Sequence, residues 1–451
     1  MSRLFGTDGV RGVANQEPMT VETVLQIGRA IAHVCRKYEK SVRHRILIGK
    51  DTRVSGYMLE NALTAGICSM GVDVLLVGPM PTPGIAFITR SMRADAGVVL
   101  SASHNPYQDN GIKIFSRDGY KLPDSEENEI EELIRSGSIR DIRPTADEVG
   151  KAKRIDDALG RYIVFCKSAF PETESLEGLK LAIDCANGAT YKVAPIIFSE
   201  LGAELAVIHN QPDGMNINYR CGSQHTSDLR KLVVESGADV GLAFDGDGDR
   251  LIVIDETGVE LNGDHMLALC AKHAKDRGEL PGNRVVTTVM ANFGLFRTLK
   301  NLGIQVDVAP VGDRHVLQRM REKGALLGGE ASGHMIFLDD HTTGDGIISA
   351  LRLLAVLCET RRPVSELASL VQLTPQKLIN VDVLRQPPLD ELPEVQAAIR
   401  SVEEELGDQG RVLIRYSGTQ ALCRVMVEGP TEERTGALAE QLAAVIRKKL
   451  G

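Results

Sequence analysis

Short apolar runs and amphipathic stretches alternate along most of the chain. Ile46–Gly49, Val72–Val77, Gly97–Leu100, Leu181–Asp184 and Val285–Val289 have the length and composition of buried strands. Between such runs, Val21–Cys35 and Met58–Ser69 carry apolar residues at helical spacing. This alternation predicts layered α/β structure. Pro123-Asp124-Ser125, the acidic stretch Glu126–Ile134 and then Gly137 read as a helix with its start and stop signals. The polar segment Ser138–Lys153 follows and marks a boundary. A second strand series opens at Leu179–Asp184 and ends near Ile254. A third opens at Gly258–His265 and runs to about Glu366. The last unit holds the Pro- and acid-rich Leu384–Pro393. It closes in a helix from about Thr431, with Leu438, Leu442, Val445 and Ile446 on one face. No sequence repeat joins the three series.

Composition narrows the class without naming it. A chain of 451 residues implies about three domains as a starting point. A net charge of −9 with no long basic run argues against nucleic-acid binding. The eight cysteines are scattered with no Cys-x-x-Cys pair, which argues against a disulfide framework or a zinc site and for reduced thiols in the cytoplasm. No apolar stretch reaches the roughly 18 residues of a membrane span, and Met-Ser-Arg-Leu-Phe-Gly has no apolar signal region.

The sharpest chemistry lies at Phe244-Asp245-Gly246-Asp247-Gly248-Asp249-Arg250, between two apolar runs. A strand, a tight loop and a second strand are expected there. Three carboxylates at alternate positions repel one another unless a cation joins them, and hard oxygen ligands suit Mg²⁺ or Ca²⁺. A solvated acidic turn is the plain alternative, but its flanks are too apolar. An EF-hand would place Glu256 at loop position 12, yet it needs Gly where Arg250 stands and helical flanks that are missing.

Three further motifs carry polar groups on loops. Ser101-Ala102-Ser103-His104-Asn105-Pro106 follows the strand-like Ala96–Leu100, so Ser103 is a candidate nucleophile at a sheet edge. A capped turn would use the same residues. A hydrolase triad would need a base, and a histidine adjacent in sequence usually does not reach its neighbour's hydroxyl. In Gly328-Gly329-Glu330-Ala331-Ser332-Gly333-His334, the alternating Glu330, Ser332 and His334 suit sugar hydroxyls and proton transfer, although a lone histidine is more often structural. Arg415-Tyr416-Ser417-Gly418-Thr419, with Arg424 beyond, offers an anion site or an ordinary turn. Phe5–Gly12 and Gly49-Lys50-Asp51-Thr52-Arg53 are polar turns carrying cations. Neither an ATP P-loop nor a dinucleotide fingerprint is present.

Together and in this order, the four loops resemble the α-D-phosphohexomutase superfamily over the whole chain. Leu4–Gly12, Pro212–Asn218 and Cys221-Gly222-Ser223-Gln224-His225 look like the bacterial phosphoglucosamine mutase subgroup. The resemblance implies three related α/β domains, 1–155, 156–255 and 256–370, and a smaller C-terminal α+β domain, 371–451, around a central active-site cleft. It implies interconversion of glucosamine 6-phosphate and glucosamine 1-phosphate, on the route to UDP-N-acetylglucosamine and peptidoglycan. Ser103 would be the phosphoserine. Asp245, Asp247 and Asp249 would bind Mg²⁺, with Ser103 contributing a phosphate oxygen. Arg11, Lys113 and Arg250 would surround the transferring group, with Lys113 and His334 as acid/base candidates. Glu330 and Ser332 would hold sugar hydroxyls, while Arg415, Ser417, Gly418, Thr419 and Arg424 would grip the distal phosphate.

The implied partners are the phosphorylated amino sugar and its 1,6-bisphosphate, with a kinase or bisphosphate sugar to prime Ser103. Nucleic acid and membrane are not expected, and the protein would be a monomer or homodimer. The phosphate loop continues with Gln420-Ala421 where the superfamily usually has Glu-Pro. The alternatives are a phosphoglucomutase/phosphomannomutase and, from another class, a non-catalytic phosphosugar-binding regulator.

Overall fold

The computed structural model describes residues 3–6, 8–36, 43–417 and 421–451. It divides into two compact units, Met1–Val289 with Gln305–Ser369, and Met290–Ile304 with Leu370–Gly451.

The first unit is built on three sheets. The first runs in the order Val10–Val13, Asp109–Ser116, Ala96–Leu100, Arg45–Lys50, Asp73–Pro79, Ala152–Arg154. Its central parallel strands carry the apolar runs Ile46–Ile48, Val74–Leu76 and Ala96–Leu100 because both faces are covered there. Ile46, Ile48, Val98 and Leu100 face a core shared with helices Val21–Cys35 and Ser55–Cys68. The alternate residues Leu47 and Val99 face Ile85 and Ile88 of helix Thr82–Ser91 on the other side. The expected acidic helix spans Asp124–Ser136 and stops at Gly137, which takes the left-handed φ of 72°. The polar segment after it ends in the strand Ala152–Arg154, which pairs parallel with Asp73–Pro79 and extends the first sheet.

The second sheet runs Glu260–Leu261, Leu251–Asp255, Val240–Phe244, Lys180–Asp184, Glu204–Ile208. Val240–Phe244 and Leu251–Asp255 are antiparallel with Phe244 opposite Leu251, so residues 245–250 close a hairpin. The third sheet runs Gln305–Ala309, Arg284–Thr288, Leu327–Gly329, Met335–Phe337. Gly329 lies opposite Met335, so residues 330–334 close a second tight hairpin.

The second unit is a three-stranded antiparallel sheet, Gln376–Asp382, Leu422–Glu428, Arg411–Tyr416, packed on helices Pro393–Leu406 and Glu432–Leu450. Ile379, Val425, Leu438, Leu442 and Ile446 lie in its core. Helix Phe293–Asn301 belongs to it, tied by Asn292 to Thr374 and by the Phe293 amide to Glu428. Among the described residues no helix is long and apolar enough to cross a membrane. All eight cysteines are free thiols.

Candidate active site

Strand Ala96–Leu100 delivers the serine loop. Ser103 takes φ 51°, a left-handed conformation that side chains rarely adopt. Its amide donates to Ser101 Oγ at 2.9 Å, and Ser101 Oγ in turn donates to Asp51 Oδ2 at 2.6 Å. The Ser101 hydroxyl is thereby committed to holding the loop. The Ser103 hydroxyl points the other way, donating to Asp245 Oδ2 at 2.6 Å and lying 3.2 Å from His104 Nδ1. The turn thus brings His104 to its neighbour's hydroxyl, against the sequence expectation. Burial, with Arg250 and Arg11 nearby, pushes the His104 imidazole down to about 4. It is neutral at neutral pH.

Asp245, Asp247 and Asp249 are buried, and they can each offer an oxygen within 4.8 Å of the others. The loop needs its glycines. Gly248 takes φ 72°, and a Cβ on Gly246 would lie 2.6 Å from the Ser103 carbonyl oxygen. Asp247 Oδ2 accepts from Thr82 Oγ1 at 2.7 Å and Lys113 Nζ at 2.9 Å. Asp247 Oδ1 and Asp249 Oδ1 are buried with no hydrogen-bond partner. Burial and the neighbouring Asp249 and Asp247 push the Asp245 carboxyl well above the usual range. Asp247 goes the other way: burial opposes ionisation, but Lys113 and the bonds from Thr82 and Lys113 outweigh it. Partnerless carboxylate oxygens and repelling anions fit a hard divalent cation. Asp245, Asp247 and Asp249 would hold it, and it would neutralise charge on a phosphoryl group at Ser103.

Lys113 starts a chain of alternating charges that no local motif announces. Its Nζ lies 2.9 Å from Asp247, 3.3 Å from Asp8 and 3.5 Å from Asp249. Asp8 also pairs with Arg11 and Lys121. Lys121 continues to Asp313 at 2.5 Å, and Asp313 Oδ2 lies 3.7 Å from His334 Nε2. Burial favours neutral Lys113, but Asp247, Asp8 and Asp249 override it and hold the ammonium well above its usual range. Lys113 is a fixed cation here, able to donate a proton but not poised to take one. Arg250 sits beside Asp249 at 3.8 Å, and burial of its charge is offset by Asp249, Asp245 and Glu330.

The sugar-loop hairpin is closed by the Glu330 amide on the His334 carbonyl at 3.0 Å and the Gly333 amide on the Glu330 carbonyl at 3.0 Å. The Leu251 amide donates to the Gly333 carbonyl at 3.1 Å, anchoring the hairpin to the strand that leaves the carboxylate loop. Glu330 Oε1 accepts from the Gly312 amide at 3.1 Å. Ser332 Oγ is buried with no hydrogen-bond partner.

The second unit carries Arg415 and Arg424, which the sequence places at an expected phosphate loop. Arg415 stands directly opposite Arg424 on the neighbouring strand. Burial and Arg424 both disfavour the charge on Arg415, which an anion between the two guanidinium groups would relieve. Ser417 follows, its amide donating to the Leu422 carbonyl at 2.8 Å. Gly418 and Thr419 lie outside the described residues.

The structure thus gathers Ser103, the three aspartates, Arg11, Lys113, Arg250 and His334 into one connected network. The sequence reading missed Thr82, Lys121 and Asp313. It quoted Asp8, Asp51, Arg53 and Asn218 within motifs but gave them no role.

Four domain families match the chain in order: phosphoglucomutase/phosphomannomutase α/β/α domain I over residues 2–140, domain II over 160–258, domain III over 262–374 and the C-terminal domain over 378–445. The chain belongs to the phosphoglucomutase/phosphomannomutase family and is a phosphohexomutase, an isomerase. Among curated relatives, the phosphoglucosamine mutase of Syntrophobacter fumaroxidans is 58% identical over 451 residues, covering 100% of both chains. That of Chlamydia trachomatis is 54% identical, covering 100% of this chain and 98% of the relative. Among solved structures, a phosphoglucomutase/phosphomannomutase family protein from Burkholderia thailandensis shares the fold with a TM-score of 0.82 at 24% identity, covering 99% of this chain and 97% of that one. The Aspergillus fumigatus N-acetylphosphoglucosamine mutase, solved with GlcNAc-6P and magnesium, shares it with a TM-score of 0.67 at 17% identity, covering 99% of this chain and 95% of that one.

Proposed function

We propose that the protein interconverts glucosamine 6-phosphate and glucosamine 1-phosphate, with Ser103 as the phosphoryl carrier. One observation carries this reading. The Ser103 hydroxyl is bonded to Asp245 in a loop that leaves oxygens of Asp247 and Asp249 unsatisfied. The full-length relatives at 54–59% identity, all phosphoglucosamine mutases, support the choice of sugar. Mg²⁺ is the ion we assign to the carboxylates, which take oxygen-binding divalent cations.

Phosphoserine 103 donates its phosphoryl group to the sugar's O1: the P–Oγ bond breaks, a P–O1 bond forms, the O1 proton leaves to a base such as His334, and Oγ takes up a proton. The 1,6-bisphosphate turns over. Its 6-phosphoryl group then returns to Ser103: the P–O6 bond breaks, a P–Oγ bond forms, Oγ gives up its proton and O6 takes one up. Arg11, Lys113 and Arg250 neutralise the phosphoryl oxygens. Glu330 and Ser332 accept and donate to sugar hydroxyls. Arg415, Ser417, Gly418, Thr419 and Arg424 hold the phosphate that is not reacting. The first phosphate on Ser103 comes from a kinase or a bisphosphate sugar, and the free thiols fit a cytoplasmic enzyme. A coupled assay comparing glucosamine 6-phosphate, glucose 6-phosphate and mannose 6-phosphate tests the reading. A clear preference for the amino sugar is expected. Preference for glucose or mannose phosphate would overturn the substrate, and no turnover of any of them would overturn the enzyme.

A further inference from the structure

The loop carrying Ser103 is gripped from two sides by donors that never touch its hydroxyl. Arg53 is fully buried. Its Nη2 donates to the Ser103 carbonyl at 2.9 Å and the Asn105 carbonyl at 2.8 Å, and its Nη1 reaches the Asn105 and Pro106 carbonyls at 3.3 Å each. Its Nε faces Asp51 Oδ2 at 3.0 Å, the oxygen that also accepts from Ser101. From the loop after strand Glu204–Ile208, Asn218 Nδ2 donates to the Ser103 carbonyl at 2.8 Å and the Asn105 carbonyl at 3.0 Å. Two side chains on loops that follow strands of different sheets therefore meet on the same two carbonyl oxygens.

The backbone around this grip is strained. Besides Ser103 at φ 51°, Asn218 (φ 59°), which bonds to its carbonyl, and Ala186 (φ 54°) and Asn187 (φ 48°), whose carbonyls accept from Asn218 and Thr52, are left-handed. Thr52 Oγ1 donates to the Asn187 carbonyl at 2.6 Å, and the Asn218 amide to the Ala186 carbonyl at 2.9 Å. Strain of this kind persists only where the surroundings over-determine it. Gly246 of the carboxylate loop closes the remaining side: a Cβ there would meet the Ser103 carbonyl oxygen at 2.6 Å and Asn218 Nδ2 at 2.7 Å.

We propose that Arg53 and Asn218 are positioning residues, a two-sided clamp on the Ser103 and Asn105 carbonyls that holds Ser103 left-handed and aims its Oγ at the carboxylate loop. The proposal rests on Ser103 being the phosphoryl carrier. Neither residue bonds to the Ser103 hydroxyl, so the clamp sets direction. Releasing it lets the peptide relax toward an ordinary φ and swings Oγ off line. In-line transfer is steep in that coordinate: a misplacement of about 1 Å can cost on the order of 100-fold.

Arg53→Ala would leave Asp51 buried without its guanidinium partner and invites misfolding, so Asn218→Ala is the lead variant and Arg53→Lys the second. Steady-state kinetics, Mg²⁺ titration of activity, and hydrogen–deuterium exchange of the peptide over 101–106 are measured on both and on the wild type. The expected result is kcat lower by about 10- to 100-fold, KM nearly unchanged, an unchanged Mg²⁺ midpoint, and faster exchange in the loop. Wild-type kcat in Asn218→Ala, or unchanged exchange in both variants, would overturn the clamp. So would a rise in KM as large as the fall in kcat together with a shifted Mg²⁺ midpoint, since that marks general loosening of the site. A wild-type enzyme that takes no phosphate on Ser103 would overturn the carrier reading and the clamp's catalytic role with it. The exchange data would then still report separately whether Asn218 and Arg53 hold the loop.

Discussion

The Ser103 hydroxyl donates to the Asp245 carboxylate at 2.6 Å, across 142 positions of sequence and between two sheets. Ser101, two residues earlier, donates instead to Asp51 at 2.6 Å. This difference in partners supports Ser103 as the proposed phosphoryl carrier. Ser103→Ala is expected to abolish mutase turnover with little change in Tm. Ser101→Ala is expected to leave the phosphorylation site on Ser103. Phosphopeptide mapping decides between them, and phosphate on Ser101 would reverse the assignment.

Asp247 Oδ2 accepts from Thr82 and Lys113, while Oδ1 has no hydrogen-bond partner and is the oxygen proposed for the cation. Exhaustive chelation should silence the enzyme, and added Mg²⁺ should restore it. Asp247→Asn should raise the Mg²⁺ concentration needed for half-maximal activity, because one charged ligand of three is lost. Ca²⁺ should substitute poorly, its longer bonds misplacing the phosphoryl oxygens. Full activity after chelation would rule out a metal at these carboxylates.

Arg415 and Arg424 face one another across two strands of the C-terminal unit. A hydrogen bond to a charged group contributes roughly 1.5–3 kcal/mol, so Arg415→Ala should cost on the order of 10- to 100-fold in kcat/KM in both directions. Phosphoserine at Ser103 should survive if, as proposed, this loop holds the phosphate that is not reacting. Kinetics and a phosphoserine measurement on the same variant check both statements. Loss of phosphoserine would place Arg415 at the transfer site instead.

Asp345 caps helix Gly346–Thr360, accepting from the Ile347 and Ile348 amides and from Tyr162 Oη. Burial pushes its carboxyl up to about 7, against the opposing hydrogen bonds. A carboxyl with a raised folded-state pKa binds more protons folded than unfolded. Its contribution therefore falls as pH rises from about 4 towards 7 and is flat above. Asp345→Asn keeps the cap oxygen without the buried charge. It should gain on the wild type by up to a few kcal/mol at pH 8 relative to pH 4. Thermal melts at the two pH values measure it, and an equal Tm difference at both would show that the carboxyl titrates normally.

The strands and helices were legible because burial on both faces makes the parallel strands continuous apolar runs, while helices such as Val21–Cys35 keep their periodicity. The strand Ala152–Arg154 was not, since all three residues are exposed and nothing in their pattern demands a sheet. The serine and the three aspartates were legible because their chemistry is packed into one short loop each. Asp8, Lys121 and Asp313 were not: Lys121 lies 113 positions from Asp8, and only the fold joins them. Arg53 and Asn218 act on backbone carbonyls, and a carbonyl carries no sequence signature.

On the proposed mechanism, Ser103 carries the phosphoryl group to the sugar and recovers the other one. Enzyme carrying ³²P on Ser103 is mixed with unlabelled glucosamine 6-phosphate and quenched after one turnover. The label is expected in glucosamine 1-phosphate, on O1, with the enzyme left phosphorylated but unlabelled. Label that stays on the protein, or leaves as inorganic phosphate while the sugar isomerises, would contradict the account.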